Sequence, residues 1–351
     1  MNYNQLHGTS LKIPPIIFGT SSLGNLYQQL SFETKRKIIE QIFQHVQSPV
    51  VLDTAGKYGA GMALDVLGDC LRELNIRREN VVISNKLGWF QIPLKNDEPT
   101  FEPGVWKNVQ HDAEQRINYR GILDCWEQGC ELIGEEYSPD LLSVHDPDEY
   151  VANRQNESER QKRLDDVLGA YQALFELKQK GKVKTIGIGA KDWTIIREIS
   201  QHIDLDWVML ACSFTIKNHS IDIVDFMKQL SKRNVSVINS AVFNSGFLTG
   251  GNYFDYRRVD EKDPKDQHLF RWRERFYDVC HTFDVQPAAA CVQFGLAGPY
   301  IISIAMNTAK PERVAQNVNL VQTPLSPDFW RALEKAHLVN GEVLQKMELI
   351  P

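Results

Sequence analysis

Short runs of consecutive apolar residues alternate along the chain with longer stretches in which apolar positions recur at helical spacing. Ile16-Ile17-Phe18-Gly19-Thr20 is the first such run, and Ser31 is placed to cap a helix predicted over residues 33–46. Val50-Val51-Leu52-Asp53 follows, then a helix over 63–74 with Leu64, Val66, Leu67 and Leu71 on one face. Val81-Val82-Ile83-Ser84-Asn85-Lys86 reads as a third strand, and a polar, proline-bearing insertion from about 90 to 118 precedes a helix at 122–133. Leu141-Leu142-Ser143-Val144-His145 ends before an Asp-Pro turn, and a helix over 163–180 is stopped by Gly181. Strands at 183–189, 207–212 and 235–239 then pair with helices at 193–202, 221–232 and, after a loop at 246–264, 266–283. A strand at 301–306, a helix at 311–321 and a terminal helix at 328–346 complete the pattern.

Strands that are apolar throughout need a sheet covered on both faces, and alternation with helices makes that sheet parallel. About eight strand-helix units counted from Ile16 match the number that closes a (β/α)8 barrel. We therefore expect one barrel domain over residues 1–351, with a long loop at about 90–118 and a helical tail at about 326–351. An open doubly wound sheet is the competing architecture, but no G-x-G-x-x-G follows the first strand. The polar strand ends agree with the barrel. Asp53, Lys86 and His145 close three different strands, and a barrel gathers such C-terminal ends around one mouth.

Composition narrows the function classes. The chain is 42% hydrophobic and 24% charged, the balance of a globular protein, and its formal net charge of -6 comes with no basic block, which argues against a nucleic-acid surface. No apolar stretch reaches 18 residues, and the opening MNYNQLHGTS lacks the basic and apolar regions of a leader, so no membrane partner and a cytoplasmic location are expected. The six cysteines are scattered without a C-x-x-C pair, which argues for core thiols rather than zinc or disulfides. The sequence is silent on oligomeric state.

The three strand-end residues gain meaning with Tyr58, carried on a loop that contains Gly56, Gly59 and Gly61. A phenol titrates near ~10, and a neighbouring ammonium favours its phenolate. Lys86 would supply that charge, Asp53 would pair with Lys86, and His145 would hydrogen-bond at a substrate oxygen. Together they make a proton-transfer site for a carbonyl or alcohol. His145-Asp146-Pro147-Asp148 has no second histidine at ligand spacing, so no metal is expected.

Asp53-Thr54-Ala55, Tyr58-Gly59, Leu67-Gly68, Asn85-Lys86-Leu87-Gly88 and Leu141 to His145 occur in the order of the aldo-keto reductase signature, and the chain resembles that family from about Pro15 to Val321. The resemblance implies a (β/α)8 barrel, a nicotinamide cofactor across its mouth, and Tyr58 as acid/base assisted by Asp53, Lys86 and His145. It implies cofactor contacts from Gly19 and Thr20, from Phe214 as a platform for the nicotinamide ring, and from Ser245, Gly246 and Leu248 around the pyrophosphate. Asn307, Thr308, Arg313, Gln316 and Asn317 fall in the segment that would hold the adenosine.

Two departures refine this picture. Asn307 stands where many NADP-preferring members carry lysine, which makes NAD the expected cofactor and NADP the alternative, with Lys310 or Arg313 near enough in sequence to meet a 2'-phosphate. Ala190-Lys191-Asp192 replaces the Ser-Asn that often holds the nicotinamide carboxamide. Within the family, His145 to Asp148, Ile186 to Trp193 and Gly246 to Gly251 resemble the L-fucose and D-threo-aldose 1-dehydrogenase branch. The implied reaction oxidises the anomeric carbon of an aldose of L-fucose, D-arabinose or L-galactose type to a lactone, with Trp89 and Phe90 as candidate sugar-stacking aromatics. A pyridoxal dehydrogenase, an NADPH-dependent aldehyde or ketone reductase, and a non-enzymatic cofactor-sensing subunit are the alternatives.

Overall fold

The computed structural model describes residues 2–350. Eight parallel strands close into a barrel in chain order: β1 (Ile16–Gly19), β2 (Val50–Ala55), β3 (Val81–Leu87), β4 (Leu141–His145), β5 (Thr185–Ala190), β6 (Trp207–Ala211), β7 (Ser236–Ser240) and β8 (Ile301–Met306). β5 pairs with β6 and β8 with β1, so no sheet edge is left. Helices cover the outside, the first held by the predicted cap, in which the Ser31 side chain accepts the Thr34 N–H.

The barrel interior explains why the strands are apolar on both faces. Ile17, Val51, Val82, Leu141, Trp207, Met209, Ile238 and Ile302 form one buried cluster with Leu6 and Ile13. Those last two come from a small hairpin, Asn4–Gln5 against Lys12–Ile13, that closes the N-terminal end of the barrel. The outward faces of the strands pack against the helices in two larger clusters. The barrel is thus filled below, and only its C-terminal mouth is open for chemistry.

Three parts differ from the sequence expectation. The 90–118 insertion is ordered around a hairpin, Trp89–Pro93 against His111–Gln115, and Leu26 forms an isolated bridge with Trp106. A helix at Pro287–Ala297 lies between the predicted 266–283 helix and β8. It is apolar nearly all round because it is buried between barrel and outer layer, so it shows no amphipathic stripe. The tail is two helices, Pro327–Lys335 and Gly341–Lys346, interrupted where His337 takes a left-handed conformation (φ 53°).

Candidate active site

The site begins with neighbouring strands. Asp53 on β2 lies opposite Ser84 on β3, and Lys86, two residues further along β3, points to the same face as Ser84. The Lys86 ammonium donates to Asp53 Oδ2, and the Ser84 hydroxyl donates to Asp53 Oδ1 at 2.9 Å. Asp53 therefore aims Lys86, whose Nζ reaches Tyr58 Oη at 3.3 Å. His145, the last residue of β4, meets the Tyr58 ring edge-on at 5.6 Å between ring centres. All four residues line one cavity at the barrel mouth.

Tyr58 owes its place to a close backbone approach. A side chain on Gly24 would put its Cβ 2.7 Å from the Tyr58 carbonyl group, and one on Gly59, at φ +63°, would meet Gly24 O at 2.5 Å. Glycine at both positions lets the Tyr58 loop lie flat against the loop after β1.

Burial decides the charge states. It works against the Lys86 ammonium, but Asp53 and Tyr58 outweigh it and raise the Lys86 pKa, so this lysine stays charged. Burial also raises the Tyr58 pKa, and although Lys86 pulls it down, Asp53 and Asp146 push it up again. The expected net lowering by Lys86 is therefore reversed, chiefly because burial disfavours the phenolate and secondarily because Asp53 opposes the pull of Lys86. His145 is held well below the ordinary imidazole value by burial and by Lys57, Lys86 and Lys191, so it is neutral at physiological pH. Its Nδ1 is buried without a partner.

The cavity holds about 1210 Å³, above the ~300–1,000 Å³ usual for one small ligand and large enough for a cofactor with a substrate. Gly19, Ser245, Gly246, Asn307, Thr308, Arg313, Gln316 and Asn317 line it. Asn244, Ser245 and Gly246 are consecutive left-handed residues (φ 45°, 57° and 89°), a tight turn in which the Asn244 and Gly246 N–H groups donate to Ala241 O and Phe243 O. Lys310 and Arg313 also line the cavity and form no ion pair among the described residues, leaving two cations available to phosphate. Asn307 instead accepts from Ser22 and donates to Ser21.

Several expected contacts lie elsewhere. Phe214 is fully buried and stacks on Phe294 at 5.4 Å, away from the cavity, where Ala211 and Ser240 form the wall. Cys212, left-handed at φ 60°, turns the chain outward before Phe214. Leu248 is core, and Thr20 is buried with its hydroxyl donating to Asp53 O at 3.2 Å. Trp89 and Phe90 lie outside the cavity lining: Trp89 packs on Phe101 at 5.6 Å and Phe90 lies under Arg116 at 3.9 Å. Besides Tyr58, the cavity is lined by the aromatic Tyr27, Trp106, Phe243 and Tyr256, and near Tyr58 by the charged Lys57, Glu102, Asp146 and Lys191.

The model of the aldo/keto reductase family matches residues 15–337. The chain belongs to that family. Its closed eight-stranded barrel is that of an aldo-keto reductase, an oxidoreductase family that uses nicotinamide cofactors. Among curated aldo-keto reductase relatives, pyridoxal 4-dehydrogenase of Microbacterium luteolum is 28% identical, with 95% of this chain and 96% of that protein covered. D-threo-aldose 1-dehydrogenase of a Pseudomonas species is 25% identical, with 94% and 95% covered. An aldo-keto reductase of Bacillus halodurans, solved in its holo form, superposes with a TM-score of 0.68 at 19% identity over 97% of both chains. Among the described residues of this aldo-keto reductase, no helix is long and apolar enough to cross a membrane, and no cluster of metal-ligating side chains occurs.

Proposed function

We propose that this aldo-keto reductase is an NAD(P)-dependent dehydrogenase that oxidises the anomeric carbon of an aldose to a lactone. The observation that carries the reading is the wall beside Tyr58, where carboxylates of Glu102 and Asp146 stand among the ammonium groups of Lys57 and Lys191, facing the cavity beside the Trp106 ring. Hydroxyl groups suit such a charged wall, and a sugar's apolar face suits an indole.

Gly19, Ser245, Gly246 and the 307–317 segment would hold a nicotinamide cofactor, which when bound would supply the hydride acceptor or donor. Tyr58 exchanges the proton at the substrate oxygen, Lys86 holds the phenol oxygen, Asp53 and Ser84 hold Lys86, and neutral His145 hydrogen-bonds the same substrate oxygen. Because burial raises the Tyr58 pKa, oxidation gains a better base as pH rises, whereas reduction finds its acid already protonated at neutral pH. NAD is the proposed cofactor, since Asn307 brings no cation, with NADP served by Lys310 and Arg313.

A second reading, pyridoxal oxidation, is favoured by the similarity to pyridoxal 4-dehydrogenase and by the aromatic Tyr27, Trp106 and Tyr256 around the mouth, which suit a flat ring. The deciding test is an assay of L-fucose, D-arabinose, L-galactose and pyridoxal with NAD and NADP side by side. Lactone and reduced cofactor from an aldose support the proposal, and turnover of pyridoxal alone replaces it with the second reading.

A further inference from the structure

One carboxylate links the Tyr58 loop to the indole above it. Glu102 Oε1 lies 2.7 Å from Lys57 Nζ, and its Oε2 accepts the Trp106 indole N–H at 2.8 Å. Trp106 packs against the Tyr58 ring at 5.8 Å and is buried. Lys57, next to Tyr58 in the chain, is itself fixed: its ammonium also lies 3.6 Å from Asp146 and 3.8 Å from Glu149, and it sits over the Trp89 ring at 5.2 Å. Glu102 takes a left-handed conformation (φ 44°), unfavourable for a glutamate and persisting only where surrounding contacts hold it. The rest of the segment is tied down independently of Glu102, with the Tyr27 N–H donating to Val105 O at 2.9 Å and the Lys107 N–H to Asn25 O at 3.1 Å. The loop would therefore stay in place without this carboxylate, while Trp106 would lose the bond that fixes its ring.

We propose that Glu102 is a positioning and specificity-determining residue: it locks Trp106 as the roof above Tyr58 and, through Lys57, presents a carboxylate edge that receives hydroxyl groups of the substrate. Both of its oxygens keep acceptor capacity beyond the Lys57 and Trp106 contacts, and Glu102 lines the cavity. The hydroxyl-receiving part rests on the polyhydroxyl reading of the site, whereas the roof part holds for any substrate that meets Trp106. Glu102 stays out of the proton transfer, so its loss acts on substrate binding rather than on chemistry.

The test is steady-state kinetics of Glu102→Gln, Glu102→Ala, Trp106→Phe and the Glu102→Ala/Trp106→Phe double variant, with whichever panel substrate the parent enzyme turns over best. Cofactor affinity, measured by quenching of protein fluorescence, and thermal midpoints are recorded for each. Glu102→Ala is expected to raise substrate KM about tenfold with kcat within about twofold, and Glu102→Gln, which still accepts the indole N–H, to raise it less. The double variant is expected to be no worse than Glu102→Ala by more than about twofold, because the two residues act as one unit. A KM within twofold of the parent in Glu102→Ala, fully additive effects, or a loss carried by kcat or by cofactor affinity overturns the proposal. Because the substrate is chosen by turnover, failure of the aldose reading leaves this outcome readable: if pyridoxal is the substrate, the roof coupling is still expected.

Discussion

Replacing Lys86 with methionine removes the charge that Asp53 faces. Asp53 is 3% exposed and would keep only the Ser84 hydroxyl at 2.9 Å, because its other oxygen is bonded to Lys86. Two unit charges ~4 Å apart attract by roughly 4 kcal/mol at an effective dielectric of ~20. Removing one member of a buried pair costs about 3–5 kcal/mol, because the survivor is left without compensation. Lys86→Met should therefore lose about 3–5 kcal/mol, read as a shift in the urea midpoint at constant slope. Lys86→Met/Asp53→Leu removes both members of the pair and should recover to within about 2 kcal/mol of the parent, since apolar residues replace buried pairs at little cost. Both variants should be inactive, which separates the pair's catalytic role from its modest net contribution to stability. A single variant that loses less than about 1 kcal/mol, or a double variant less stable than the single one, refutes the picture of a tightly coupled buried pair.

Gly24→Ala would drive a Cβ to within 2.7 Å of the Tyr58 carbonyl; it should cost about 1–3 kcal/mol in urea unfolding and lower kcat by roughly tenfold or more as Tyr58 shifts. His219 is half-buried edge-on to Phe294, with the Asn340 N–H donating to its Nε2 at 3.1 Å, and loss of hydration lowers its pKa to about 4. The unfolded chain binds this proton below pH ~6.5 and the folded one does not, so stability is full above that pH and falls by up to ~3 kcal/mol as pH drops towards 4. His219→Gln should flatten that part of the acid profile measured by urea midpoints. Arg313→Ala should raise the KM for NADP by about 10–100-fold, the worth of one charge-assisted hydrogen bond, and the KM for NAD by less.

Legibility in the sequence followed how local each signal was. Asp53, Lys86 and His145 stand out because a polar residue at the end of an apolar strand breaks a short-range pattern, and the barrel then brings those ends together. Ser84 was missed, although strand alternation places it on the face of Lys86, because serine in a strand is ordinary. Glu102 and Trp106 reach the site from a segment without periodicity, and their partners Lys57 and Tyr58 are more than forty residues away in the chain. Phe214 shows the opposite failure: its position after β6 was readable, but the outward turn at Cys212 was not. The Pro287–Ala297 helix escaped because complete burial erases the amphipathic contrast on which helix reading depends.

Tyr58→Phe isolates the proton transfer proposed for Tyr58, because it removes one oxygen and leaves the ring packed against Trp106 and His145. Turnover and cofactor affinity of this variant should be measured on the same preparation. The expected result is a kcat lowered by about 10²–10⁴, the range of a lost acid/base, with NAD affinity within about twofold of the parent. Turnover that survives the substitution would contradict it.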